Sequence, residues 1–227
     1  YILLAYFGCS RARKAEQDRV WTGMARETAH QLGTPLSALY GWTTLLEEEG
    51  ASPAAVSEIK KDLNRLQTVA ERFSKIGTET KGDLGNLTEL LRHTVDYLQR
   101  RSPGEVHLLL DLSEDLPLIP MQPVLLGWVV ENLLRNAMDA MDGKGSIVVD
   151  IKNEITQTVI EVTDSGKGIL KSNINKVFKP GFTTKKRGWG LGLSLSKRII
   201  EHYHKGELFV KNSEVGKGTT FRIILKK

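Results

Sequence analysis

The chain has 227 residues, 40% hydrophobic and 26% charged, with one cysteine and a formal net charge of +5. This composition excludes a disordered tail, an internal disulfide framework and a multi-cysteine metal site. Lys and Arg are scattered among acids rather than gathered on one helix, so nucleic acid is not an expected partner, and the lone Cys9 suits a reducing compartment.

The sequence opens at Tyr1 rather than Met and is expected to be a piece of something longer. Tyr1 to Cys9 is almost wholly apolar and runs into Arg11, Arg13 and Lys14. It is far shorter than the ~20 residues a spanning helix needs. It fits equally the inner end of a membrane helix with its basic flank and a short buried terminus. Residues 1–20 are assigned to a membrane-proximal or linker segment.

From Ala25 onward, Ala25, Ala29, Leu32, Leu36, Leu39, Thr43 and Leu46 step alternately by four and three, which is a heptad seam. Val56, Ile59, Leu63, Leu66, Ala70 and Phe73 repeat the rhythm after Gly50 and Pro53, with Ser52 as a candidate cap. Residues 21–80 therefore predict an antiparallel helical hairpin. One hairpin cannot bury both seams, so a homodimer forming a four-helix bundle is expected. His30 follows the seam residue Ala29 and would lie on the bundle flank, with Thr34 one turn along the same face. Pro35 removes an N–H and clashes with the Gln31 carbonyl, predicting a kink. Taken alone, His30 could be an ordinary polar residue on a dimer helix.

Polar residues from Gly77 to Gly85 mark a boundary, and residues 81–227 form a second domain. A helix from Asn86, capped with Glu89 three residues on, presents Leu87, Leu90, Leu91, Val95 and Leu98 on one face. Then come a strand at Val106–Leu112, a proline-rich connection, a helix at Val124–Met141 and hairpin-like strands at Ile147–Ile151 and Thr158–Val162. A glycine-rich loop and polar lid lead to a helix at Leu191–His202 and strands at Glu207–Val210 and Thr219–Leu225. The mixture, without βαβ regularity, predicts an α+β two-layer sandwich.

No Walker A, Rossmann or protein-kinase glycine pattern occurs. On the Val124–Met141 helix, Asn132, Asn136 and Asp139 share one face, and a row of carboxamides suits magnesium that keeps waters and bridges to phosphates. Asn136 alone would read as a buried structural amide. Asp164-Ser165-Gly166-Lys167-Gly168 ends a strand. Glycines there admit close approach of a flat ligand, and the aspartate can accept from an exocyclic amine such as adenine's. Phe178 to Lys185 leads into Gly188-Trp189-Gly190-Leu191-Gly192, alternating glycines beside Lys185 and Lys186 that could cradle phosphate at a helix start. Gly216-Lys217-Gly218-Thr219-Thr220 turns into the final strand.

In this order the motifs, with His30, resemble the catalytic core of a two-component sensor histidine kinase over Met24 to Lys227. That core has a HisKA-type dimerisation and phosphotransfer hairpin and an ATP-binding domain of the gyrase, Hsp90, histidine kinase and MutL (GHKL) superfamily, with its Bergerat-type fold. The resemblance implies a phosphotransferase using ATP and Mg2+, with His30 as phosphoacceptor and Asn136 as metal ligand. It implies that Asn132 and Arg135 contact phosphates, Asp164 reads the adenine amine, and Gly166 and Gly168 line the base pocket. Gly188, Gly190 and Gly192 would hinge the lid, with Asp139, Lys185 and Leu191 in the same nucleotide site, and Thr219 and Thr220 would close the pocket. A response-regulator receiver domain would dock around His30, and Thr34 implies a secondary phosphatase activity. A cytoplasmic catalytic region and a full-length protein in the cell inner membrane are expected.

Departures from the pattern are informative. Asn132 stands where the superfamily's hydrolases carry a glutamate that activates water, and a carboxamide cannot take a proton, which favours kinase over ATPase. Gln31 follows the histidine where the family has an acid, so it can hold Nδ1–H but not remove it. Trp189 replaces a small residue and is expected to pack under the lid. A nucleotide-binding signalling scaffold and a superfamily ATPase are the competing readings.

Overall fold

Heptad spacing and strand alternation build two different units in this chain, divided between Glu79 and Thr80. The computed structural model describes residues 23, 27–76, 82–102, 104–112, 116, 118–185 and 189–227. Segment 1–20, Ala25 of the first seam, the 77–81 boundary, Lys186 and Gly188 lie outside the described residues.

In the first unit, helix α1 (described over 27–48) and helix α2 (Pro53–Ile76) form an antiparallel hairpin. Gly50 makes the turn at a φ of +79°, and Pro53 opens α2, where its missing N–H costs nothing. Leu36, Leu63 and Ala70 form the core, with Tyr40 packed on it and donating to Asn64 Oδ1 at 2.7 Å. The helix continues through Pro35, so the proline removes a hydrogen bond without ending it. Each seam is only half used. Leu36, Thr43, Val56, Leu63 and Ala70 are buried, whereas Leu32, Leu39, Leu46, Ile59 and Leu66 are 36–50% exposed.

The second unit is an α/β sandwich. Its sheet runs β2 (Glu105–Leu112), β4 (Lys144–Asn153), β5 (Gln157–Asp164), β7 (Gly218–Lys226) and β6 (Glu207–Glu214). β2 and β4 are parallel and the other neighbours antiparallel. A parallel pair needs a crossover, and helix α4 (Pro123–Ala140) lies between the two strands in sequence. The fold thus contains one βαβ unit that the alternation did not suggest. A two-stranded ribbon of β1 (Asp83–Gly85) and β3 (Ile119–Met121) was also unforeseen, because three-residue strands carry too little pattern.

Helix α3 (Leu87–Gln99) starts where Asn86 Oδ1 accepts the Glu89 N–H at 3.0 Å. Leu87, Leu91, Val95 and Leu98 of α3 and Leu125, Leu126, Val129, Val130, Leu133 and Leu134 of α4 are buried. With Ile147, Val149, Ile151, Ile160, Val162 and Ile223 of the sheet they make the core, each side chain contributing about 1.5–3 kcal/mol of burial. On the other sheet face, Glu161 is buried between Lys211 and Arg222. Desolvation alone would raise its pKa, but these two cations hold it below the ordinary carboxylate range.

The last helix is α5 (Gly192–Arg198), which widens into a π turn at Ile199–Tyr203 rather than running uniformly. The turn ends on His204. Its Nε2 accepts the Gln122 N–H at 3.1 Å, so Nδ1 carries the proton toward the Ile199 carbonyl at 3.2 Å. The ring thereby joins the start of α4, which has no side-chain cap, to the end of the α5 segment.

Burial depresses the His204 pKa, against the Nδ1–H bond to the Ile199 carbonyl. The stabilisation is full above a free histidine's value of about 6.5 and is lost as pH falls below it, because the unfolded chain then takes a proton the folded chain refuses. Urea unfolding midpoints are expected to fall between about pH 7.5 and pH 5.5, and less so in His204→Gln.

Candidate nucleotide site and phosphoacceptor groove

Helix α4 buries Leu133, Leu134 and Ala137 and turns Asn132, Asn136 and Asp139 the other way. Lys185 reaches this row: its Nζ donates to Asn136 Oδ1 at 2.7 Å and Asp139 Oδ2 at 2.5 Å. A carboxamide oxygen and a carboxylate thus converge on one cation. Among the described residues no group of three or more His, Cys, Asp or Glu could hold a metal. A metal here would keep few protein ligands and take the rest from phosphates and water, as magnesium does.

Asn132 does a different job. Its Nδ2 donates to Ser196 Oγ of α5 at 2.9 Å, and a Cβ added at Gly192 would lie 2.5 Å from its Oδ1. The carboxamide therefore fastens α5 to α4, and a side chain at Gly192 would have to displace it. Arg135 is committed to Glu131, Nε to Oε1 at 2.9 Å, on the flank of the helix.

Asp164, the last residue of β5, is buried. Its Oδ1 accepts the Gly166 N–H at 2.8 Å, and the Thr219 N–H also bonds it. Burial pushes its pKa up, and the two N–H bonds oppose that rise. A Cβ at Gly166 would lie 2.7 Å from the Ala140 carbonyl oxygen, and one at Gly168, whose φ is +70°, would strike the Glu214 carbonyl. The Lys167 N–H bonds the Ala140 carbonyl at 2.9 Å, and the Lys167 carbonyl accepts from Gly216 at 2.9 Å. Gly166 and Gly168 thus press the loop onto α4 and the β6–β7 turn.

Thr219 and Thr220 separate, because successive strand residues face opposite ways. Thr219 is buried on the Asp164 side, within 2.9 Å of Ser213 Oγ. Thr220 pairs with Thr163 at 3.0 Å on the other sheet face, so its side chain does not close the pocket. Ser213 also accepts the Ile169 N–H at 2.8 Å, tying the glycine loop to β6. Nothing local in the sequence marks Ser213 or Ser196, whose partners are distant in the chain.

In the lid, Gly190 has a φ of +65° and its carbonyl accepts from Gly181 at 3.0 Å. A Cβ there would lie 2.5 Å from the Gly181 carbonyl carbon, so this glycine lets the lid close on the Phe178–Phe182 loop. Leu191 is exposed, and its carbonyl accepts from Leu195 N and Ser194 Oγ, each at 2.9 Å, to begin α5. Trp189 is 89% exposed, which corrects the expectation that it packs beneath the lid.

In the first unit His30 is exposed and shares a groove between α1 and α2 with Glu27, Thr34, Gln67, Glu71 and Ser74. Gln31 Nε2 donates to Glu27 Oε1 at 2.7 Å.

Residues 121–227 match the family described as histidine kinase-, DNA gyrase B-, and HSP90-like ATPase. Sporulation kinase E of Bacillus subtilis (strain 168) is 35% identical over 95% of this chain and 30% of its own length. Sensor histidine kinase ZraS of Salmonella typhi is 33% identical over 98% of this chain and 52% of its own length. The chain thus spans about a third to a half of these curated relatives. The catalytic domain of histidine kinase ThkA superposes with a TM-score of 0.58 at 28% identity, covering 65% of this chain and 97% of that one. ThkA in complex with response regulator protein TrrA shares the fold at 24% identity, with a TM-score of 0.56 and coverage of 98% and 66%.

Gly218 has a φ of +118° and turns its bare Cα to the Asp164 carbonyl, where a methyl group would clash. Gly218→Ala is expected to cost about 1–3 kcal/mol of stability in urea unfolding and to weaken nucleotide binding with it.

Proposed function

With residues 121–227 belonging to the histidine kinase-, DNA gyrase B- and HSP90-like ATPase family, we propose that this chain is the catalytic core of an ATP-dependent sensor histidine kinase. It would pass the γ-phosphoryl of ATP to His30 and then to an aspartate of a response-regulator receiver domain. The observation that carries this reading is one arrangement: buried Asp164 at the end of β5, and on α4 the pair Asn136 and Asp139 already holding the Lys185 ammonium.

Asp164 would accept the adenine exocyclic amine, with Thr219 beside it. Asn136 would hold Mg2+, and the fit rests on its carboxamide oxygen converging with Asp139 on a cation. Bound there, the metal would offset phosphate charge. Lys185 would add a second positive charge on the phosphate side, and Gly190, Leu191 and Gly192 would carry the lid. Asn132 binds Ser196 and cannot accept a proton, so no carboxylate activates water at that place. The γ-phosphoryl is left for imidazole. Neutral His30 attacks through Nε2, in line with the departing ADP oxygen, and catalysis is mostly positioning and charge neutralisation.

The half-exposed seams support dimerisation. Leu32, Leu39, Leu46, Ile59 and Leu66 leave an apolar stripe that a second hairpin would cover, giving a four-helix bundle. The open groove at His30 suits a receiver domain, in keeping with the ThkA–TrrA complex, and Thr34 beside it suits a phosphatase step. Among the described residues no helix is long and apolar enough to cross a membrane. An inner-membrane anchor would lie outside the described residues.

Incubation with γ-labelled ATP tests the reading. Acid-labile label is expected on the wild type, absent in His30→Ala, and reduced at least about 100-fold in Asn136→Ala with loss of its magnesium dependence. Label surviving in His30→Ala sinks the assignment. Phosphate release without protein label favours an ATPase, and nucleotide binding with neither favours a scaffold. For the dimer, Leu39→Asp with Leu66→Asp is expected to give a monomer by analytical ultracentrifugation.

A further inference from the structure

Phosphorylation at Nε2 leaves an imidazole ring that still carries its Nδ1 proton and a positive charge, and a nearby base drives transfer forward by removing that proton. Position 31, where the kinase reading would place a carboxylate, holds an amide. The structure shows where that amide points: Gln31 Nε2 donates to Glu27 Oε1 at 2.7 Å, one turn back along α1. Gln31 is spent on orienting a carboxylate rather than replacing one.

We propose that Glu27 is the base for His30. The argument rests on the kinase reading and on helix geometry. Residues three apart on a helix are neighbours, about 5–6 Å between Cβ atoms, and side chains lean toward the helix N-terminus. A side chain leaning that way from His30 would approach the turn that carries Glu27. Glu27 and His30 line the same groove, and among the described residues neither has a hydrogen-bonding partner apart from Gln31 on Glu27 Oε1. Glu27 Oε2 is left to accept. The other titratable groups of the groove are Glu71 and Tyr40, and both are engaged on or toward α2: Glu71 Oε1 accepts from Gln67 at 3.0 Å and Tyr40 donates to Asn64.

The step balances as follows. The Nε2–P bond forms, the bond from phosphorus to the ADP oxygen breaks, and the Nδ1 proton passes to the Glu27 carboxylate and from there to water. The phosphorylated ring is left neutral at Nδ1. Gln31 keeps Glu27 in place and moves no proton.

The test compares initial autophosphorylation rates of the full chain at saturating magnesium and ATP. Glu27→Gln is expected to lower the rate at least about tenfold, a modest share of what a general base supplies, with the KM for ATP unchanged. Glu48→Gln, exposed on α1 outside the groove, is expected to match the wild type. The decisive variant is the double substitution Glu27→Gln with Gln31→Glu, which returns a carboxylate to the histidine's other side and is expected to recover most of the rate. A merely structural Glu27 would show no loss in Glu27→Gln, because the glutamine's amide oxygen can still accept from Gln31 Nε2. Three results overturn the proposal: a Glu27→Gln rate within twofold of wild type, a loss that the double variant does not restore although its circular dichroism is native, or a larger loss in Glu48→Gln. A wild type without label on His30 is a different failure, since it removes the kinase reading and this proposal with it.

Discussion

Everything in the second unit depends on α4 having two faces. Its apolar face, from Leu125 to Leu134, is fully buried and holds α3 and the sheet together. The opposite row, Asn132, Asn136 and Asp139, could not be buried without partners, because an unpaired carboxamide or carboxylate costs more than its neighbours would repay. Burial of one face therefore fixes the position of the other, and the polar row is carried on a rigid element rather than a loop. Removing a Leu from α4 would loosen the core and tilt the polar row together.

Around that helix, contacts are made backbone to backbone. Gly166 meets the end of α4, Gly168 and Gly218 meet the β6–β7 turn and β5, and Gly190 meets Gly181. Each junction allows no side chain, so the loops around Asp164 are held at a separation set by main-chain atoms alone. The helical hairpin is built by the opposite logic. It buries little, leaves His30 in an open groove and keeps an apolar stripe exposed.

Much of this was legible in the residues. The heptads of both hairpin helices and the apolar stripe of α4 are long periodic signals, and the cap at Asn86 is a local rule, so all appear where the pattern puts them. Short or non-local features were hidden. β1 and β3 are too brief to show a period, and β2 alternates like an antiparallel strand because only one of its faces is covered, although it pairs parallel to β4. The hydroxyls of Ser196 and Ser213 find partners far along the chain, which no window of sequence displays. Glycine motifs show that the backbone comes close to something but not to what, and here the neighbours are largely other backbone. Thr219 and Thr220 were taken together, yet two successive strand residues cannot serve one pocket.

The parallel pairing of β2 with β4 bears on how the chain acquires its structure. Those strands are separated by the whole of β3 and α4, so their ladder closes only after a long loop has been ordered, and the entropy of that closure falls before any ladder bond repays it. The hairpin of α1 and α2 has a short turn and contacts that begin close to it. Contact order therefore makes the helical hairpin the fast-forming part of the molecule and the α/β domain the slow one. Emerging from the ribosome ahead of the α/β domain, the hairpin would present its apolar stripe while that domain is still assembling, and early pairing with a second copy would guard against aggregation.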